Sequence, residues 1–363
     1  MKPVCGLRLA RIIVVAGLCT AVSGCYYMQA ARGQLEVMRK RQPIARVVAA
    51  SDTPAELADR LGLVEEARTF AVGELGLPDN DSYRSYADLG RDYVVWNVIA
   101  APEFSLQPKR WCYPIVGCVS YRGYFSAESA QRKAAQLGKD GYDVAFGGVA
   151  AYSTLGRFSD PILNTMMRWE DIDLIAVMFH ELAHQVLYIK DDSAFNESFA
   201  TAVEEFGIER WLGSRAQADD LADYRQRREL RGAVMRAIEV ARLDLEQIYS
   251  AATATGAKRA QKQQRLLRLA AEVNALFEAA GREPPAWISN DLNNARLVSL
   301  ALYHGRLPAF RALLMRCANK LQCFYREAEA LGELGEAERN EQLDNLQAID
   351  LLSSAQRPTR DVF

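Results

Sequence analysis

The chain has 363 residues, half of them hydrophobic, with 25% charged residues and a formal net charge of -2. That length supports one large domain or two modest ones. The nearly balanced charge lacks the basic excess of a nucleic-acid binder, so no nucleic-acid partner is expected.

Read from the N-terminus, Lys2, Arg8 and Arg11 give a positive start, and residues 12–22 form a short apolar run. The run is too short for an ordinary membrane span and fits the h-region of a secretory signal. Ser23-Gly24-Cys25 resembles the lipobox of bacterial lipoproteins. That resemblance implies cleavage before Cys25, lipidation of Cys25, and attachment to the membrane through that anchor. Tyr26 rather than Asp follows the Cys, which by the same analogy points to the outer membrane, facing the periplasm.

Residues 26 to about 70 read as helical, with good helix formers at 29–41 and 55–75. The β-branched and aromatic run at 93–100 predicts a strand, and 119–125 offers another. A short helix at 127–137, closed by Gly138, precedes a strand at 142–151. Gly147 and Gly148 interrupt that strand, the mark of a bulge or a close backbone approach. From Asp171 onward the pattern is mostly helical: 171–189, then 193–212 ended by Gly213. Segments 216–253 and 257–280 carry apolar residues at helical spacing and predict an antiparallel helical hairpin. After a break at 281–285, further helices run to about Leu351. The expected class is α+β, mostly helical, with a small sheet near 90–155.

His180-Glu181-Leu182-Ala183-His184 is an H-E-x-x-H motif on the 171–189 helix. Residues four apart share a helix face, so both imidazoles can reach one tetrahedral ion, with Glu181 set beside its open position as the general base. This helix is apolar nearly all round, hence buried. Burying two His and a Glu without a partner is expensive, and a Zn2+ ion supplies the partner. Only three His occur in the chain, and two are here. The third ligand expected is Glu197, 13 positions after His184, completing a two-His, one-Glu set. Asp191 and Asp192 are the other acidic candidates, and Glu197 would also suit a helix N-terminus without any metal.

The strings His180 to Gln185 and Asn196 to Ala200 resemble the gluzincin metallopeptidases, and within them zinc aminopeptidases with H-E-x-x-H-Q and N-E-G-F-A patterns. The likeness extends to Glu204, seven residues after Glu197, and with Thr201 it implies support behind the ligands. The linker is shorter here than in those enzymes. Their Gly-Ala-Met-Glu-Asn amine-binding segment is replaced by Gly147-Gly148-Val149-Ala150-Ala151, which has no Glu, leaving Glu204 or Glu205 as candidate amine anchors. Over most of its length the chain is similar to a family of bacterial lipoproteins assigned as aminopeptidases, through Ser23-Gly24-Cys25, the 117–125 and 152–156 segments, the zinc motif and Tyr303-His304.

Attack on a peptide carbonyl puts charge on its oxygen, and Tyr303 and His304 are the candidate second donors. Adjacent helical residues point about 100° apart, so only one of them would serve. Core packing of Tyr303 and helix capping by His304 are the structural alternatives. Export also bears on the cysteines. With Cys5 and Cys19 lost with the signal and Cys25 lipidated, Cys112, Cys118, Cys317 and Cys323 remain. The expectation is two local disulfides, Cys112 with Cys118 and Cys317 with Cys323. A four-Cys zinc site is the competitor, although it usually has tighter spacing. The organisation read is a signal peptide at 1–24, a helical region at 25–90, a zincin-like catalytic core at 91–215, and a helical region at 216–363 that completes the site. The function read is zinc-dependent hydrolysis of peptide or protein substrates. An envelope chaperone or scaffold with a retained zinc fold, or a cell-wall peptide amidase, are the alternatives.

Overall fold

The computed structural model describes residues 28–113, 117–151, 153–290 and 292–355. Cys25 and the expected signal peptide lie outside the described residues. The chain is mostly helical with small sheets, as expected for α+β.

Residues 28–40 form helix α1, followed by β1 (Arg41–Pro43), α2 (Ile44–Ala49) and α3 (Ala55–Gly73). Strands β2 (Ser85–Ala87), β3 (Val95–Pro102), β4 (Trp111–Tyr113), β5 (Gly117–Val119) and β6 (Arg122–Tyr124) come next. Helix α4 (Ala127–Lys139) leads to β7 (Tyr142–Val149) and β8 (Ile162–Leu163). Instead of one small sheet, the described residues form three: β6-β3-β7, β1-β2-β8 and the β4-β5 ladder. The stretch expected as a strand at 119–125 is broken, because β5 pairs with β4 while β6 pairs with β3.

Strand β3 shows why its sequence is apolar without interruption. Val98 and Ala100 face α4, packing with Ala130 and Leu137. Ala101, with Ile99 packed beside it, faces a second cluster containing Ile238, Leu245, Leu269 and Leu297. Period-two alternation puts these sets on opposite faces, and both faces are covered. The second cluster is built by the predicted hairpin, α7 (Ala218–Ser250) and α8 (Thr255–Ala279), with α9 (Trp287–Asn290) and α10 (Asn294–His304). Gly148 in β7 lies under the Tyr93 ring, where a Cβ would collide with it, so the close approach falls on Gly148, while a Cβ at Gly147 would meet nothing within 4 Å.

The main core joins both ends of the chain. It holds Ile44, Leu61 and Val64 together with Phe310, Phe324 and Leu343. The latter belong to α11 (Leu307–Arg316), α12 (Leu321–Glu333) and α13 (Glu336–Ala355). Between these layers run α5 (Asp171–Ala183) and α6 (Ser193–Ser214). Both predicted disulfides are present, Cys112–Cys118 and Cys317–Cys323.

Helix α5 ends at Ala183, six residues before the expected stop at Ile189. Past His184 the bonds tighten, with Gln185 N–H to Leu182 O and Val186 N–H to Ala183 O. The side-chain amide of Asn196 then takes both the N–H and the C=O of Ile189, each at 2.7 Å, which removes them from any continuing helix.

Candidate metal centre

Helix α5 is held at its N-terminus before it delivers the motif. Asp171 and Asp173 sit in the first turn, where carboxylates are favoured. Arg60 of α3 bonds Asp171 at 2.8 Å, and Arg227 of α7 bonds Asp173 at 3.1 Å. Leu174, Phe179, Leu182 and Ala183 are fully buried, so the helix cannot rotate without exposing core. Gly207 lets α6 press against it: a Cβ there would meet Phe179 and Leu75 at 2.8 Å.

Three ligand-type atoms converge at the end of α5. His180 Nε2 lies 3.1 Å from His184 Nε2 and 3.2 Å from Glu197 Oε2, and His184 Nε2 lies 3.8 Å from the same carboxylate. His180, His184 and Glu197 are the metal-competent cluster among the described residues. Ligand atoms about 2.0–2.2 Å from a tetrahedral ion are roughly 3.3–3.6 Å apart, so these separations fit one small divalent cation. Behind His180, Glu204 Oε2 stands 3.1 Å from Nδ1. If Nδ1 carries the proton toward Glu204, Nε2 presents a lone pair to the cluster. Thr201 is buried one turn beyond Glu197 on the same face of α6 as Glu204. His184 Nδ1 is buried without a partner among the described residues.

The electrostatics ask for a cation. Burial alone would lower the His180 imidazole, yet its bonds to Glu197 and Glu204 hold it well above the ordinary histidine value. Burial would raise Glu197, but the two imidazoles hold it well below the usual carboxylate range. The pocket thus favours positive charge, and its three groups could hold a metal ion.

The other acidic candidates are occupied. Asp191 Oδ1 accepts the Cys118 N–H at 2.6 Å. Asp192 caps α6 by accepting the Phe195 N–H at 3.0 Å and also pairs with Arg339 at 2.9 Å. Of the possible amine anchors, Glu204 is committed to His180, and Glu205 accepts two hydrogen bonds from the Arg311 guanidinium at 2.6 and 2.8 Å. Tyr303 and His304 fall in the last turn of α10, and their side chains lie outside the described residues.

Glu181 projects to another side of α5. Burial first, and then the Glu181 charge, push the Tyr83 phenol well up. Asp160 is raised to about 6, chiefly by burial, with Glu181 contributing. Of three further residues near the site, Tyr83 and Tyr188 carried no signal in the sequence, and Gln185 only its place at the end of the H-E-x-x-H-Q string. Tyr188 packs edge-on against His184, ring centroids 6.5 Å apart. Gln185 accepts from Asn80 Nδ2 at 2.7 Å. Tyr83 is 2% exposed at φ +63°, a rare conformation for a bulky side chain. A lone Tyr or Gln has no spacing to betray it, although Gln185 does fall within the H-E-x-x-H-Q string.

Two imidazoles and a carboxylate, with a second carboxylate backing one imidazole, form a site that could hold a metal ion. The chain matches the model of the family described as "Putative aminopeptidase" over residues 25–343, and it belongs to that family. No curated protein and no solved structure matches it.

Proposed function

We propose that this chain is a zinc-dependent peptidase, acting as an aminopeptidase on peptides of the bacterial envelope. The observation that carries the reading is the convergence of His180, His184 and Glu197 with Glu204 behind His180. Family membership supports the peptidase class. A Zn2+ ion held by His180, His184 and Glu197 would polarise a peptide carbonyl and acidify water. Glu181 follows His180 directly, turned about 100° around the helix axis, and serves as the base that takes the proton of the attacking water. It then returns that proton to the departing amine. Tyr303 and His304 remain the proposed donors to the developing oxygen charge, and Tyr188, lying against His184, joins them.

The test is Glu181→Gln, assayed on aminoacyl reporters beside N-blocked peptides. The variant should keep about one zinc per chain and lose turnover by a factor of 10²–10⁴. Full activity in Glu181→Gln would sink the mechanism, and metal without turnover in the native chain would favour a scaffold. In the same assay, one of Tyr303→Phe, His304→Ala and Tyr188→Phe should lower kcat with zinc retained; if none does, the donor lies elsewhere. We also propose lipid anchoring at Cys25 in the outer membrane. Mass spectrometry of the native N-terminus should find acyl chains on Cys25, and a mature chain still beginning at Met1 would refute it.

A further inference from the structure

Twelve residues separate His184 from Glu197, and their path decides where the third ligand arrives. One side of this loop is tied down inside the molecule, through the Asn196 amide on Ile189 and the Asp192 bond to Arg339. The other side is tied outward. Asp191 has φ +67°, a left-handed conformation that most residues with a Cβ avoid and that Asp tolerates. Its carboxylate accepts the Cys118 N–H at 2.6 Å. Arg110 Nη2 lies 3.9 Å from the same carboxylate oxygen and donates to Cys118 O at 3.3 Å.

The hairpin is shaped for this contact. Gly117 has φ +75°, and a Cβ on it would collide with the Asp191 carboxylate. Cys112 and Cys118 are direct cross-strand partners and are disulfide-bonded. The β4–β5 ladder joins no other strand among the described residues. A two-stranded ladder alone is marginal, and the disulfide holds it closed. Tyr188, three residues before Asp191, packs edge-on against His184, so the segment carrying the hairpin contact also touches the metal cluster. The Asp191 side chain is 46% exposed, so its bond adds little to global stability.

We infer that the disulfide-stapled β4–β5 hairpin is a positioning clamp for the metal site: through Asp191 it fixes the loop between His184 and Glu197 and so holds the third ligand in register. The inference rests on the metal-centre reading above. It assigns Asp191 and the Cys112–Cys118 pair to metal retention rather than to coordination or bulk stability.

The experiment uses the full mature chain loaded with zinc, with release to a chromophoric chelator timed and the thermal midpoint of the metal-free form measured beside it. Asp191→Ala, Asp191→Gly and the double variant Cys112→Ser/Cys118→Ser should release zinc about 10–100-fold faster, the range for partners that orient ligands. Asp191→Asn keeps an acceptor oxygen and tolerates the left-handed backbone, so it should stay near wild type. Cys317→Ser/Cys323→Ser, at the other disulfide, should also retain zinc. The metal-free midpoint of Asp191→Gly, which carries no backbone strain, should barely move. Wild-type release rates in Asp191→Ala and in the Cys112/Cys118 double variant would overturn the clamp. So would normal retention in Asp191→Gly, which would reduce the effect to backbone strain, or metal loss that merely tracks a fallen midpoint. A wild-type chain that takes up no zinc overturns the metal reading and the clamp with it.

Discussion

Replacing Glu204 by Ala strips the carboxylate from the rear of His180 while leaving the three converging atoms in place. The pair is 3.1 Å apart, with side-chain exposures of 12% for His180 and 13% for Glu204, so solvent screens it weakly. A hydrogen bond to a charged partner contributes about 1.5–3 kcal/mol. Outer partners of metal-bound histidines contribute about 10–100-fold in affinity, or roughly 1.4–2.8 kcal/mol at 1.4 kcal/mol per decade. The two routes agree, and Glu204→Ala should weaken zinc binding by one to two decades. Glu204→Gln keeps an acceptor oxygen at Nδ1 and should fall less than tenfold. Chelator competition at fixed pH measures both, and turnover at saturating zinc separates lost affinity from damaged chemistry. A Glu204→Ala affinity within twofold of wild type would show that Nδ1 needs no partner, and the account of how His180 is oriented would fail.

Two further outcomes concern the scaffold. Phe199 is fully buried, stacked on Phe324 at 5.5 Å and edge-on to Phe310 at 6.0 Å, so Phe199→Ala should destabilise by about 3–5 kcal/mol in urea unfolding. A loss under 1 kcal/mol would mean that this cluster does not carry the core. Asp160 is raised to about 6 by burial, above the ordinary 3.8, although Thr154 bonds pull the other way. The folded chain then keeps a proton that the unfolded chain has released, so its contribution to stability is greatest below about pH 4 and falls as pH rises to about 6. The integrated change is up to about 3 kcal/mol. Asparagine does not titrate, so the stability of wild type relative to Asp160→Asn should drop between pH 4 and 7; a flat or rising difference refutes the burial of that charge.

Local chemistry was legible in the sequence. The H-E-x-x-H motif announced itself by residue type and period, the α7–α8 hairpin by its apolar stripe, and each disulfide by proximity along the chain. Glu197 was also within reach, because only a short turn separates α5 from α6. What the sequence left hidden depends on remote partners. Nothing near Glu205 indicates that Arg311, 106 residues away, takes its charge. Nothing near Ile189 indicates that the Asn196 amide would stop α5 early. The division of the β structure into three sheets escaped notice because strands of two or three residues carry almost no periodic signal. The fate of Asp191, a possible ligand by type, was decided by a backbone N–H on a hairpin 73 residues upstream.

The order in which the chain is made gives the α6 packing a further meaning. His180, His184 and Glu197 all lie within 18 consecutive residues, whereas Arg311 closes on Glu205 across 106. By loop-closure entropy the shorter contact is easier by roughly 1.6 kcal/mol. During synthesis the three converging side chains are complete more than 100 residues before Phe310 and Phe324 exist. Through that interval Phe195 and Phe199 on α6 lack the aromatic rings that later cover them. A growing chain at this stage offers a bare apolar ridge, and the helices that hide it are the last to arrive.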